Sequence, residues 1–386
     1  MALAHSPYDR ISVRELCALA GVSTRTFYSH FRGKQECFLA AHELARTVAV
    51  QPARRALAEA RDWRQGLERA VALLFGALAD NERAARCLLL EGFSAGALGA
   101  QAARRAAIEL AEGLTELQLR AGLPAGPPWL APALVCGGWR VVRRRLSAGR
   151  AAELPELAAP VARWLAAALE AAASKAAAPP RTQPLPAARG GARELIGATP
   201  SLWQGARPLA PRQAVIQAAL ELGCRAGCGA VTGRAVARAA GLSARRFGQH
   251  FPSGAECLAA ALVWAWGELA DRVAREQLTA SARLCTLIDA LARDLAFARL
   301  SLQEALTLGA PGVGAREQMM ASIEALLCRA AQPQLEADLL REAWAGAIWG
   351  ALCAAAAPGS CGLRRELAPA LLALGGGGVA IAAQGR

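Results

Sequence analysis

The segment Ile11–Cys37 reads ISVRELCALAGVSTRTFYSHFRGKQEC, and Val231–Cys257 reads VTGRAVARAAGLSARRFGQHFPSGAEC. Aligned without gaps, the two segments lie 220 residues apart and share 10 identical residues in 27 positions. Each segment predicts two short helices joined by a tight turn, and each is followed by a run of amphipathic helical patterns. The repeat therefore predicts an all-α chain made of two tandem halves of one plan.

In the first copy, Ser12 and Glu15 form the S-x-x-E signature of a capping box at the start of a helix. Gly21 follows that helix and suits the left-handed backbone of a tight turn. Ser23 is a good N-cap for the second helix. Together these residues predict a helix-turn-helix.

In the second helix, Phe27 and Phe31 are four residues apart and share the inward face. Arg25 and Ser29 then point away from the core. An outward Arg near the N-terminus of an exposed helix suits the major groove, where it can pair with guanine. Neighbouring hydroxyl and amino groups suit phosphate oxygens, which fix register. The candidates for phosphate contact are Thr26, Tyr28 and Lys34.

The first copy of the repeat, Ile11–Cys37, resembles the N-terminal DNA-binding domain of the TetR family of transcriptional regulators. The residues that carry the resemblance are Ser12, Val13, Arg14, Leu16, Ala20, Gly21, Val22, Ser23, Thr26, Phe27, Tyr28, His30, Phe31, Lys34 and Glu36. The resemblance implies three short helices followed by an all-helical effector-binding and dimerisation domain. It also implies that Thr26, Tyr28 and Lys34 contact phosphates, while Thr24 and Arg25 lie on base edges. A family member of this kind is a ligand-responsive regulator, most often a repressor.

The second copy departs from this pattern at two proposed phosphate contacts, where Gly248 matches Tyr28 and Gly254 matches Lys34. Arg245 keeps the outward position, and Gln249 could read adenine. The second copy therefore either reads a different half-site or has lost much of its DNA binding. The candidate DNA-binding residues of the two copies are Ser12, Arg14, Ser23, Thr24, Arg25, Thr26, Tyr28, Ser29, His30 and Lys34, and then Thr232, Ser243, Arg245, Arg246, Gln249 and His250.

The family pattern has a further helix before the motif. The second half keeps it as RQAVIQAALELG at Arg212–Gly223, whereas only ten residues precede Ile11 in the first half. We expect the first helix of the first half to be truncated, with MALAHS as its last turn at most. The small core of the first helix-turn-helix domain, here called the first head, would then be incomplete.

Gly and Pro positions divide the chain further. The segment from Ala176 to Pro211 is rich in Pro, Ala and Gly and predicts a linker. A helical break is expected at Pro52. The predicted domains are a first helix-turn-helix domain at 1–45, a first helical effector and dimerisation domain at 46–174, a linker at 175–210, a second helix-turn-helix domain at 211–270 and a second helical domain at 271–386.

In the family, the last two helices of each subunit form a four-helix dimer interface. Here Leu130–Ala148 with Leu154–Ala173, and Leu335–Ala356 with Leu363–Leu374, occupy those places. We expect double-stranded DNA, a small-molecule effector of unknown identity, and either an intrachain pseudo-dimer or a homodimer. The aromatic residues expected to line effector cavities are Phe75, Phe93, Trp139, Phe297 and Trp344. The alternative is a protein-interaction or ligand-sensing module whose DNA binding is weak or lost.

The amino-acid composition agrees with these expectations and narrows the classes of protein to which the chain can belong. The net charge of +13 suits a polyanionic partner, although Arg enrichment in a GC-rich genome would also produce it. The 11 Cys fit reduced thiols in the cytoplasm. The sequence contains no nucleophile elbow, nucleotide fingerprint or metal-ligand spacing, so no enzyme, cofactor or metal is expected. The uncharged stretch Ala343–Leu363 is rich in Ala and Gly, and it predicts a buried helix rather than a membrane span.

Overall fold

The computed structural model describes residues 8, 11–176, 192–196, 211–275, 279–327, 335–357, 367 and 370–371. Their secondary structure is helical, and no strand occurs among them. Contacts divide the chain into two compact units. One comprises Met1–Ala178 with Glu342–Ala347, and the other comprises Pro179–Arg341 with Ile348–Arg386. The expected all-α class is confirmed for the described residues.

The first unit begins with the two short helices of the motif and continues into longer ones. Its helices are α1 (Val13–Ala20), α2 (Thr24–His30), α3 (Lys34–Glu59), α4 (Trp63–Asp80), α5 (Glu82–Arg86), α6 (Gly96–Arg120), α7 (Leu130–Ser147) and α8 (Leu154–Ala176). The long α3 packs against α4 and α6, while α8 packs against α4 and α7 against α6. Leu67, Phe75 and Leu78 on α4 are almost fully buried, so α4 forms the centre of this helical body.

The break expected at Pro52 is wrong, because α3 continues through Pro52 to Glu59. A proline inside a helix costs about 3 kcal/mol through its missing N–H and its ring clash. Val50 and Leu57 on the same helix are buried, and this packing against α4 and α6 outweighs the local penalty. The chain turns instead at Asp62, whose Oδ1 accepts hydrogen bonds from the N–H groups of Arg64 and Gln65. The domain boundary expected after residue 45 thus falls inside one continuous helix.

Between α5 and α6 the chain changes its helical pitch twice. Cys87–Glu91 forms a π-helix, here called π1, and Gly92–Ala95 forms a 3₁₀ turn. Gly96 then adopts φ 77°, a left-handed conformation that favours glycine, and α6 begins there. π-Helical turns are rare and frequently lie at functional sites.

The second unit follows the same order of elements. Its helices are α9 (Ala192–Ile196), α10 (Pro211–Ala226), α11 (Gly233–Ala239), α12 (Ala244–His250), α13 (Gly254–Arg275), α14 (Ala280–Arg293), α15 (Leu295–Arg299), α16 (Ala310–Leu327) and α17 (Leu335–Ala356), of which Glu342–Ala347 group with the first unit. A π-helix, here called π2 (Leu300–Glu304), and a 3₁₀ turn (Ala305–Leu308) lie between α15 and α16. Gly309 closes this turn with φ 71°.

The core of the second unit forms around α13, which packs against α10, α14 and α16. Trp266 on α13 is fully buried and contacts Phe297 and Trp349, with ring centroids 6.3 and 5.5 Å apart. The boundary expected after residue 270 falls inside α13. In each unit, the helix-turn-helix head and the helical body that follows it are therefore joined by one continuous helix, which is α3 in the first unit and α13 in the second.

The sequence did not predict α9, which lies within the expected linker. Its Arg193 binds Asp294 at the N-cap of α15, with 2.6 Å between Nε and Oδ2. Most of the expected linker, the turn expected in Met1–Ser6 and most of the helix expected at Leu363–Leu374 lie outside the described residues.

No helix in the described part of the chain is long and apolar enough to cross a membrane. No group of three or more His, Cys, Asp and Glu side chains there could hold a metal ion.

Candidate nucleic-acid interface

The first helix of the motif starts and ends with the caps that the sequence predicts. The Ser12 N–H donates to Glu15 Oε2 at 2.6 Å, and the Glu15 N–H donates to Ser12 Oγ at 3.2 Å. The backbone hydrogen bond from Ser12 holds the pKa of the Glu15 carboxyl below its usual value. Gly21 ends α1 with φ 66°, so its N–H can reach the Ala18 carbonyl. The expected capping box and turn glycine are confirmed.

The second helix presents its polar side chains to solvent. Ser23 Oγ accepts from the Thr26 N–H at 3.0 Å and thereby caps α2. Phe27 is buried, and its ring lies 5.4 Å from that of Phe31, so these two residues anchor the inward face. This anchoring leaves the rest of the candidate set in the first head exposed, apart from Lys34: Ser12, Arg14, Ser23, Thr24, Arg25, Thr26, Tyr28, Ser29 and His30.

Three exposed hydroxyl groups make hydrogen bonds on α2 and its N-cap. Ser29 Oγ donates to the Thr26 carbonyl at 2.7 Å, and the Ser23 and Thr26 hydroxyls lie 2.9 Å apart. Tyr28 is 59% exposed and places its ring edge-on against Phe27. These contacts set the directions of the side chains on the outward surface of α2.

Lys34 differs from the other candidates of the first head because it is only partly exposed. Its Nζ donates to the Tyr8 carbonyl at 3.0 Å and lies 4.4 Å from the centre of the Tyr8 ring. The same ring packs edge-on against Phe38 at 5.0 Å. Lys34 therefore ties the start of the head to α3. Sequence reasoning missed Tyr8, which lies outside the repeated segments and differs from its counterpart Cys228.

The second head has the same local geometry. Thr232 Oγ1 accepts from the Ala235 N–H at 3.2 Å, Ser243 Oγ accepts from the Arg246 N–H at 3.3 Å, and Gly241 turns the chain with φ 68°. Phe247 is buried beneath α12. The candidates Thr232, Ser243, Arg245, Arg246 and Gln249 are exposed, and His250 is half-buried.

The two glycines that replace Tyr28 and Lys34 have different surroundings. A Cβ added to Gly248 would have open space around it. A Cβ added to Gly254 would lie 2.1 Å from the Val231 carbonyl oxygen, so the start of α13 approaches the backbone before α11 too closely for a side chain. Close packing therefore explains the glycine at position 254, but it does not explain the glycine at position 248.

Among the described residues, a further helix, α10, covers the core of the second head. There α10 packs against α11 and α13, and Val236, Phe251 and Cys257 are buried. In the first head, the matching side chains line an open apolar groove on α1, α2 and the start of α3. The groove is lined by Leu16, Leu19, Ala20, Val22, Thr26, Phe27, His30, Phe31 and Cys37.

The aromatic residues expected to line effector cavities fall into different places. Phe75 and Trp139 line a cavity of about 50 Å³ in the first unit whose walls are wholly apolar. Phe93 is buried but is not among the side chains that line this cavity. Phe297 in the second unit packs on Trp266. Trp344 is buried on α17, within the segment Glu342–Ala347 that groups with the first unit. Of the five candidates, Phe75 and Trp139 thus line this cavity together.

Residues 1–41 match the family model of bacterial regulatory proteins, tetR family. No curated protein matches the chain. The matched residues contain α1, the turn and α2, with their capping box, buried Phe27 and exposed Arg25. The N-terminal head is thus similar to the DNA-binding domain of this family, which supports a DNA-binding regulator of transcription rather than an enzyme.

Proposed function

We propose that this protein is a ligand-responsive repressor that reads an operator with both of its recognition helices, α2 and α12. The observation that carries the proposal is the exposed Arg25 on α2, in a head that matches the family model and is held by Phe27 beneath it. An arginine there can make two hydrogen bonds to guanine in the major groove. Thr24 would lie beside it on base edges.

Phosphate contacts would fix the register of the first head. Thr26 and Tyr28 are exposed on either side of Arg25 and can reach phosphate oxygens. Lys34 donates its Nζ to the Tyr8 carbonyl and lies at the start of α3, close to the proposed surface. Ser12, Arg14, Ser23, Ser29 and His30 complete the proposed surface.

The second head would read a different half-site. Arg245 and Arg246 are both exposed on α12, so the head keeps two cationic side chains although it lacks the counterparts of Tyr28 and Lys34. Gln249 can pair with adenine. The site would therefore have imperfect two-fold symmetry. The proposed DNA-binding residues of this head are Thr232, Ser243, Arg245, Arg246, Gln249 and His250.

We propose further that the two halves form a pseudo-dimer within one chain. The repeated motif, the repeated order of helices and the repeated π-helical segments support two copies of one regulator subunit. A homodimer of the whole chain is the competing assembly. The effector would enter the apolar cavity beside Phe75 and Trp139 and shift the heads, which weakens DNA binding.

The test is fluorescence anisotropy with a labelled duplex selected from a random-sequence pool, at two salt concentrations. We expect binding that weakens steeply with salt, because each neutralised phosphate releases counterions. Arg25→Ala should weaken binding about tenfold or more, since a bidentate base contact is worth roughly 1–3 kcal/mol. The matched control is Arg55→Ala, which removes an exposed arginine of α3 outside the motif. No salt-dependent binding to any selected duplex would contradict the proposal and favour a protein-interaction or ligand-sensing module.

A further inference from the structure

A buried glutamate at the end of π1 holds the backbone that leads into the first head. Glu91 Oε2 accepts a hydrogen bond from the Tyr8 N–H at 3.2 Å, across 83 residues of sequence. Glu91 is only 8% exposed. The Tyr8 carbonyl accepts from the Ile11 N–H at 3.2 Å, so the glutamate binds the first amide of the tight turn that precedes α1.

A glutamate at the end of π2 makes the same bond in the second unit. Glu304 Oε2 accepts from the Cys228 N–H at 2.8 Å, and the Cys228 carbonyl accepts from the Val231 N–H at 3.1 Å. Glu304 also forms an ion pair with Arg299, with 3.0 Å between Oε1 and Nε. The preceding Gly227 leaves room for this carboxylate, because a Cβ there would lie 2.9 Å from Glu304 Oε2.

The two bonds are equivalent within the repeat. Tyr8 and Cys228 are 220 residues apart, which is also the separation of the two motifs. Glu91 and Glu304 are the last residues of π1 and π2. The side chains of Tyr8 and Cys228 differ completely, yet both backbone amides bond to a carboxylate of the helical body. The contact has therefore survived a divergence that changed the donor side chain.

In the first unit, Glu91 links the head to the segment that leads into α6, a helix that lines the apolar cavity. Gly96, at the start of α6, follows Glu91 by five residues, and Leu110 and Leu114 of α6 line the cavity of the first unit. On the other side, Tyr8 is followed within four residues by Ser12, the N-cap of α1. A displacement of α6 can thus be transmitted to the head through the Glu91 side chain and the short turn that begins at Tyr8.

We propose that Glu91 and Glu304 are positioning residues, each of which fixes the orientation of a helix-turn-helix head on its helical body by binding the first amide of the turn before it. The inference rests on the proposed function, because it assigns the link through which an effector would move the heads. Hydrogen bonds to a charged acceptor are among the stronger ones in proteins, so a single carboxylate can hold such a turn.

The direct test uses the two tyrosines of the chain. Selective ¹⁵N-tyrosine labelling gives two backbone amide signals, Tyr8 at the proposed contact and Tyr28 inside α2. Hydrogen exchange of both amides is measured by NMR in the full chain without DNA, for wild type, Glu91→Ala, Glu91→Gln and the exposed control Glu59→Gln. We expect exchange at Tyr8 to accelerate about tenfold or more in Glu91→Ala and less in Glu91→Gln, which keeps an acceptor oxygen. Tyr28 should keep its wild-type rate.

Two exchange results would overturn the inference. An unchanged rate at Tyr8 would show that Glu91 does not hold its amide. Equal acceleration at Tyr8 and Tyr28 would show that Glu91 supports the folding of the whole head rather than its position. If circular dichroism shows that Glu91→Ala does not fold, the exchange rates of the Tyr8 and Tyr28 amides in Glu91→Gln decide the same question.

A second readout connects the contact to DNA. Affinity for the selected duplex should fall about tenfold in Glu91→Ala and in Glu304→Ala, and Arg299→Ala separates the loss of the ion pair from the loss of the amide contact. Unchanged affinity together with faster exchange at Tyr8 would contradict the positioning role. If wild type binds no duplex, the proposed function fails, while the exchange rates still decide whether the contact exists.

Discussion

Gly254 and Gly248 replace two proposed phosphate contacts, and substituting each by alanine should change the second head in opposite directions. In Gly254→Ala the new Cβ would lie 2.1 Å from the Val231 carbonyl oxygen and 3.0 Å from the Gly233 nitrogen. Both are backbone atoms, so the turn before α11 or the start of α13 must move. Overpacking of this kind typically costs 1–3 kcal/mol, and we expect about 2 kcal/mol. In Gly248→Ala the Cβ meets nothing, and the helix gains about 1 kcal/mol.

The assay is native-state hydrogen exchange of peptides that span α11 and α12, read by mass spectrometry in the full chain. Gly254→Ala should increase the population of the opened second head roughly thirtyfold, and Gly248→Ala should decrease it roughly fivefold. Peptides from α1 and α2 serve as the internal reference, since neither change touches the first unit. If Gly254→Ala exchanges as slowly as wild type, the close approach of α13 to Val231 is not real and the reasoning fails.

The same pair of sites yields a DNA prediction. Gly248→Tyr restores the residue found at position 28 on an open surface, so it should strengthen binding to the selected duplex and steepen its salt dependence. Gly254→Lys restores the other residue but should destabilise the head, because the space before α11 is closed. Equal gains in DNA affinity from both changes would contradict this distinction.

Three further predictions concern the first unit. Burial lowers the pKa of His42 below 6.5, although a backbone hydrogen bond with Leu88 opposes this shift. The unfolded chain therefore binds the proton more readily, and the free energy of unfolding should fall as the pH drops through 6.5. His42→Leu should abolish this fall in urea unfolding, and the same pH dependence in the variant and the wild type would exclude the effect. Gly138→Ala adds a methyl group in open space within the apolar cavity and should stabilise the unit by about 1 kcal/mol in the same assay. Gly137→Ala should destabilise it because its Cβ would lie 2.5 Å from the Trp164 ring, and equal effects of the two changes would refute the cavity. Burial raises the pKa of the Cys87 thiol to about 12, so iodoacetamide should modify it far more slowly in native than in denatured protein, and equal rates would contradict its burial.

The features that the sequence predicts correctly are local ones. The capping box of Ser12 and Glu15, the turn at Gly21 and the inward Phe27 each depend on residues within four positions of one another. Their geometry follows from backbone hydrogen bonding and helical periodicity, which a single segment contains completely. Both heads could therefore be placed from the sequence.

The features that the sequence does not reveal depend on distant contacts. Pro52 predicts a break, but α3 continues because packing on α4 and α6 outweighs the local preference. The bond between Tyr8 and Glu91 joins residues 83 positions apart, and nothing in either local pattern indicates it. The apolar cavity of the first unit likewise depends on how five helices pack. The aromatic residues proposed from the sequence therefore include Phe75 and Trp139, which line this cavity, and Phe93, which does not.

The central claim, that one chain carries two working heads for one DNA site, is tested most directly by the mass of the protein–DNA complex. Native mass spectrometry of the full chain bound to the selected duplex would count the chains in the complex. The account predicts one chain per duplex, with affinity reduced by Arg25→Ala and by Arg245→Ala alike. Two chains per duplex, with binding lost in Arg25→Ala and unaffected by Arg245→Ala, would contradict the account and assign DNA reading to the first head of a homodimer.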